Sequence, residues 1–434
     1  MAEDNAHLGA HDGDGEAPPE VSAGIACAPL LADARSWIRR RVETIDMLAH
    51  EETHRRVSID FALSPDQYRA LAIDDGVVVP ISVLTKERRR NFSLRDEGGR
   101  AIPVLGKEQN GDLAHLALLS AAYDALAQEP SLEVLEMLSA DLRQVVMLPP
   151  EEALDTLAYL ERAAEASDPW RAPIVNDPIC RALLWTLSQN YVLFAVLPSD
   201  GPARRILKYS YSEDFTGSIK PATRWYRLRL WLRGVWLPDR RLFIIECPGA
   251  GRAASYHLEI TTAEELRFAQ AVLFSDDTGE AASSYDRNVN RASLYPPEPV
   301  DEFGLDAFVE VAPERTGATS QAAVTSFIVA ALLWAGYLSD LDASTPGPAV
   351  SLLVGGAALF SGISATRGEH RLVKKVFFWA RFWLTIVTIA GLVASASLAL
   401  EIPDDHPTEV WKWAAIVCTV AAVQRLWAAV RSPA

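Results

Sequence analysis

Lysine is nearly missing from this chain of 434 residues, where seven lysines stand against thirty-four arginines. With abundant alanine, that bias points to a GC-rich bacterial genome, which speaks to source rather than function. Cysteine is scarce as well. Cys27, Cys180, Cys247 and Cys418 are scattered without disulfide or metal-ligand spacing, which argues against a disulfide framework or a zinc ribbon. Reduced thiols in a cytosolic compartment follow. Residues 1–31 hold six acids, no lysine or arginine, and no apolar core. A secretory signal peptide needs a basic start and an apolar segment, so a cytoplasmic N-terminus is expected. Positive charge is in deficit overall, at a net −16, and that speaks against general nucleic-acid binding.

Long apolar runs are absent from the first three quarters and dominate the last. A bilayer core about 30 Å thick needs roughly 20 apolar residues in a helix. Four stretches approach that length: 318–338, 348–365, 376–400 and 410–430. They predict an all-α four-helix transmembrane domain over 318–430. The breaks Ser339–Gly347 and Glu401–Glu409 hold acids and no lysine or arginine, while the middle break carries Arg367, Arg371, Lys374 and Lys375. Lys and Arg favour the cytoplasmic side, so both termini and the large N-terminal part are expected in the cytoplasm of a bacterial inner membrane, crossed several times. Trp334, Trp379, Trp383, Trp411, Trp413 and Trp427 sit near span ends as interfacial anchors.

The rest predicts an α+β cytoplasmic region ending in a C-terminal β-sandwich-like domain. Residues 1–31 have few large apolar groups and are expected to be a disordered acidic tail. Residues 32–110 are expected to form a helix and then strands, with Ile38, Val42, Ile45 and Leu48 at helical spacing. Residues 111–190 form a helical region, punctuated by Pro130, Pro149-Pro150 and Asn176-Asp177-Pro178. Residues 191–317 hold eight short strand patterns with turn residues between them, the pattern of a sandwich or partly open barrel.

Several constellations bear on chemistry. His50-Glu51-Glu52-Thr53-His54 matches H-E-x-x-H, which on a helix binds zinc through His50 and His54 with Glu51 as general base. Arg55 and Arg56 follow at once, and a strand begins at Val57, so a polar helix end is the favoured reading. Gly249-Ala250-Gly251-Arg252-Ala253-Ala254 resembles a dinucleotide motif, but a strand pattern rather than a helix follows it, so a hairpin connection is expected. On Arg224–Arg233, a strand would align Arg227, Arg229, Trp231 and Arg233 on one face. That face is a candidate for anionic headgroups or an acidic partner, against the simpler reading of an exposed charged face. Arg367, Arg371, Lys374 and Lys375 are lipid-headgroup candidates too. No catalytic set and no cofactor site emerges from spacing.

The segments Arg55–Phe61 (RRVSIDF), Arg90–Lys107 (RNFSLRDEGGRAIPVLGK) and Arg291–Val311, followed by a multi-span tail, resemble a group of uncharacterised actinobacterial membrane proteins. The resemblance implies a bacterial membrane location and no particular catalytic or binding residues. The expected function is that of a membrane-anchored cytoplasmic interaction protein (a sensor, adaptor or effector) with a cytosolic protein partner. The alternatives are a membrane effector or channel that self-assembles through its helices, and a membrane-bound zinc peptidase using HEETH.

Overall fold

The structure is a computed structural model. It describes residues 18–47, 52–73, 76–86, 89–214, 241–264, 266–275, 279–284, 290–296, 305–313, 318–338, 354–357, 359, 377–399 and 406–431. The described residues open with helix α1 (Pro19–Ala32), whose proline at the first turn suits a position with no hydrogen-bond partner for an N–H. Ala23, Cys27, Leu30 and Leu31 of α1 are buried. The disordered tail expected over 1–31 is therefore corrected from Pro19 onward, and residues 1–17 lie outside the described set. Small residues hide this helix from a composition rule: Gly24 lets α1 lie so close to α3 (Lys107–Ala125) that a Cβ there would stand 2.6 Å from the Cβ of Leu116.

A second correction follows directly. The helix expected from residue 32 is strand β1 (Ile38–Asp46), paired antiparallel with β2 (Glu52–Ala62). Arg41, Glu43 and Ile45 all face inward and are buried. Two buried charges mask the period of two that marks a strand, and the remaining apolar residues fall at helical spacing by chance.

The other strands are β3 (Ala72–Ile73), β4 (Gly76–Thr85), β5 (Arg90–Arg95), β6 (Asn190–Pro198), β7 (Arg204–Asp214), β8 (Arg241–Cys247), β9 (Tyr256–Thr261), β10 (Leu266–Ser275), β11 (Gly279–Ser284), β12 (Arg291–Leu294) and β13 (Leu305–Pro313). Among the described residues the strands form three sheets. A six-stranded mixed sheet has the order β12-β9-β1-β2-β7-β5, with β1 and β9 parallel. A four-stranded antiparallel sheet has the order β11-β10-β13-β8, and a three-stranded one β3-β4-β6.

The separate β-sandwich-like domain expected at the end of the cytoplasmic region is not formed. Its strand patterns are mostly real, but β7, β9 and β12 join β1 and β2, and β6 joins β4. Pairing between strands 150 residues apart carries no local signal, so spacing alone favoured neighbours. The link Pro248–Ser255 is not a hairpin either, because it carries the chain from the four-stranded sheet to the six-stranded one.

Helices α3, α4 (Leu132–Met147), α5 (Pro150–Glu165), α6 (Arg171–Asn176) and α7 (Pro178–Gln189) cover the three-stranded sheet. Asp177 caps α7 by accepting from the Cys180 N–H at 2.8 Å, with Pro178 next in line. Lys86 holds the far end of α4, donating to the carbonyls of Val145 and Leu148 at 2.9 Å each.

The C-terminal quarter contributes α8 (Ala318–Leu338), α9 (Phe378–Ala399) and α10 (His406–Arg431). Two stretches, Ser320–Leu338 and Phe378–Ser397, are long and apolar enough to cross a membrane. The all-α four-helix transmembrane domain is thus corrected to two such helices among the described residues. In α10 the polar Glu409, Lys412, Gln424 and Arg425 dilute the apolar run, and Arg425 is buried against protein rather than turned outward. Of the stretch 348–365, only 354–357 and 359 are described.

The three helices share an apolar core of Val329, Leu333, Val387, Ala394, Trp411 and Cys418. Trp411 donates to the Ala394 carbonyl at 2.9 Å and Trp334 to Thr419 at 2.9 Å. These contacts make α10 antiparallel to both α8 and α9. Ala322, Phe377, Ala380 and Leu384, at the N-terminal ends of α8 and α9, belong to the same core as β8, β10 and β13. The four-stranded sheet therefore sits on one end of the helices.

Candidate docking surface

Strands β1, β2 and β7 have two different faces. The inner one meets two apolar cores. One lies with the helices and the three-stranded sheet, the other with the four-stranded sheet. Between the cores runs a buried polar seam. Arg41 donates to the Tyr209 hydroxyl at 2.8 Å and stands 3.5 Å from Glu43. Arg55 bonds Glu43 at 2.5 Å, Glu213 at 2.8 Å and the Glu246 carbonyl at 3.0 Å. Tyr256 donates to Glu43 at 3.2 Å, and Arg89 pairs with Glu213 over the ring of Tyr211.

Burial alone would raise the Glu43 carboxyl, but Arg55 and Arg41 outweigh it and hold that group below its ordinary value. Burial also disfavours charge on Arg55, and Tyr211 and Glu43 more than restore it. Arg252, buried near Arg41, is lowered to about 10, first by burial and then by that like charge. Gly249 leaves room for this group: a Cβ there would stand 2.3 Å from the Arg41 guanidinium carbon, which would have to shift. The Cys247 thiol, pushed up to about 12 by burial, is not a nucleophile at neutral pH.

Alternation places the other set of side chains on the opposite face. Neither apolar core takes a residue from it. Register aligns these residues in rows. Arg40 stands across from Asp60, which stands across from Ile206. The next row is Val42, Ser58, Lys208 and Arg95, and the third is Thr44, Arg56, Ser210 and Ser93. Rows are about 7 Å apart and strands about 4.8 Å, so the cations occupy a flat, hydroxyl-lined patch.

Three features concentrate positive charge there. The register shift between Ile38 and Arg40 is a bulge, and it leaves Arg39 and Arg40 both exposed beside Asp60. Lys208 and Arg95 stand directly opposite one another, a like-charge pairing that weakens a sheet. Arg204 adds a third guanidinium to Asp60, at 2.9 and 2.5 Å. The Asp60 carboxyl is lowered first by that hydrogen bond, with Arg39 and Arg40 contributing charge. Arg204, Arg39 and Arg40 act on Asp60, and Lys208 and Arg95 stand in the next row; the same face also carries the pair Arg56–Asp46 and, on β9, Glu259 paired with Arg291. Beside Arg204 opens a cleft of about 1340 Å³ that also takes in Glu20, Val21, Asp96, Arg100 and Arg205.

The residues singled out from sequence are elsewhere or undescribed. His50, Glu51, Arg227, Arg229, Trp231, Arg233, Arg367, Arg371, Lys374 and Lys375 lie outside the described residues. His54 lies on strand β2, across from Asp46 and Ser212. The H-E-x-x-H motif needs one helical face, and Glu52 to His54 are extended, so the helical reading is corrected. Among the described residues no cluster of His, Cys, Asp and Glu is arranged to hold a metal. Sequence reading missed Arg39, Arg40, Arg95, Arg204 and Lys208. The run Arg39-Arg40-Arg41 could have signalled the patch only if it had been taken as a strand.

No protein-family model matches this chain, and no curated protein matches it.

Proposed function

We propose that this is a membrane-anchored interaction protein whose soluble part docks an acidic segment of a protein partner on the basic outer face of the six-stranded sheet. The observation that carries this reading is the uncovered patch of Arg39, Arg40, Arg95, Arg204 and Lys208 on a chain of net charge −16. On a chain of net negative charge, a local group of cations attracts an acidic segment. Local attraction of this kind gives specificity and encounter rate. Serine and threonine hydroxyls between the cations supply donors for carboxylates.

The anchor reading rests on helix direction. α8 and α9 begin at the four-stranded sheet and α10 ends there. Arg381 and Arg425 therefore lie towards the sheet end, and Glu409 with Lys412 towards the other. Lys and Arg favour the cytoplasmic side, which supports a soluble part and C-terminus in the cytoplasm of a membrane crossed more than once.

Titration of the full chain in nanodiscs with a fluorescent Asp/Glu-rich peptide tests the docking reading. Binding that is lost in Arg39→Glu/Arg40→Glu supports it, and equal affinity in the variant overturns it. A phosphatase fused after Ala434 is expected to be inactive, because it stays in the cytoplasm. Activity of that fusion in the periplasm would reverse the orientation.

A further inference from the structure

The basic face runs directly into the cleft beside Arg204. Ile206 stands in the outward row with Arg40 and Asp60, and it lines the cleft together with Arg204. Arg40, Lys208 and Arg95 fall in the two rows nearest the cleft. The rows beyond hold charges that pair among themselves: Arg56 bonds Asp46 at 2.7 Å, and Arg291 pairs with Glu259. Positive charge on the face is therefore concentrated at the cleft end.

Charge alone holds a partner weakly there. Exposed ion pairs contribute little each and are screened by salt. Interfaces take most of their energy from bulky side chains seated in desolvated pockets. The cleft offers room for such side chains. Its volume is about 1340 Å³, above the roughly 300–1000 Å³ of pockets that hold small ligands. Ile73, Ile102, Leu105, Leu116, Val196 and Ile206 line it half-buried, so part of their apolar surface is left in water.

The charged groups lining the cleft sort by whether they are already engaged. Arg100 bonds Asp96 at 2.7 Å, Arg204 bonds Asp60, and Asp112 pairs with Arg143 at 2.8 Å. Arg205 donates to the Pro202 carbonyl at 3.0 Å and to the Tyr68 hydroxyl. Glu20, Glu97 and Asp200 are exposed and make no such bond among the described residues. The free charge of the cleft is thus negative, opposite to that of the adjoining face.

We infer that the partner's segment has three chemical parts: acidic residues that lie on the sheet face, bulky apolar side chains that fill the cleft, and a lysine or arginine that meets Glu20, Glu97 and Asp200. This rests on the docking reading above and adds to it the anchor and the order of charges. A segment acidic throughout meets like charge where the cleft begins.

Three synthetic peptides of equal length test this on the full chain in nanodiscs, with binding to empty nanodiscs subtracted. The first carries an Asp/Glu block, two Leu or Phe anchors and a Lys end. The second has Ser in place of the anchors, and the third has Glu in place of the Lys end. The first should bind about tenfold more tightly than the second, and more tightly than the third. Ile102→Gln should weaken the first and leave the second unchanged, which also shows that the variant is folded. Asp200→Lys should remove the advantage of the Lys end. Equal affinity for the first two peptides, or an anchored peptide indifferent to Ile102→Gln, overturns the inference, although the face still docks acidic segments. A third peptide as tight as the first overturns the basic end. If no peptide binds, or none responds to Arg39→Glu/Arg40→Glu, the docking reading falls and the inference falls with it.

Discussion

Glu43 is the residue on which the polar seam depends. It is fully buried, and its carboxylate answers both Arg41 and Arg55. Glu43→Gln keeps the shape and removes the charge, leaving two buried guanidinia short of a partner. Breaking a buried pair in this way costs about 3–5 kcal/mol, to be measured as the shift in denaturant midpoint of the detergent-solubilised chain. The pH dependence has a definite sign. The folded-state pKa lies below the ordinary 4.5, so the folded state binds fewer protons than the unfolded one on acidification. The contribution is complete above that ordinary value and is lost as pH falls through the folded-state value. The wild type should therefore lose more stability than Glu43→Gln between pH 6 and pH 3. Parallel curves for the two proteins would mean that Glu43 is not charged in the fold.

Two close approaches between elements hold the fold's layers in place. Gly24 brings α1 onto α3, and a Cβ there meets the Leu116 side chain at its root, where rotation gives no relief. Gly24→Ala improves helix propensity by about 1 kcal/mol. The clash outweighs that gain, and a net loss of about 1–3 kcal/mol is expected, again as a midpoint shift. A stabilised Gly24→Ala protein would show that α1 does not lie against α3. In the apolar bundle, Gly336 of α8 faces the ring of Trp411 on α10, where a Cβ would come within 2.2 Å of it. Gly336→Leu should separate these helices and also break the Trp411 bond to the Ala394 carbonyl. The loss is about 1–3 kcal/mol, visible as a lower melting temperature in detergent.

At the scale of the whole molecule, local patterns were legible and long-range ones were not. The strands at Tyr256–Thr261 and Leu242–Cys247 stood out because their apolar residues alternate or run together. The partners of those strands did not, since nothing near Tyr256 announces that it lies beside Arg41. The candidate surface was hidden for a related reason. Arg40, Arg95 and Lys208 are far apart in sequence, and only the register of β1, β2, β7 and β5 makes them one patch. The apolar C-terminal quarter was plain, whereas the burial of Arg425 within it could not be inferred from hydropathy. The most direct measurement of the central claim is the salt dependence of peptide binding to the full chain in nanodiscs, comparing wild type, Arg40→Glu/Lys208→Glu and Arg162→Glu. Arg162 is exposed on α5 and serves as a control for charge reversal on another element. The account predicts affinity that falls steeply with added salt in the wild type and in Arg162→Glu, and is lost in the double variant at every salt concentration. Equal loss in Arg162→Glu and the double variant, or binding indifferent to salt, would contradict it.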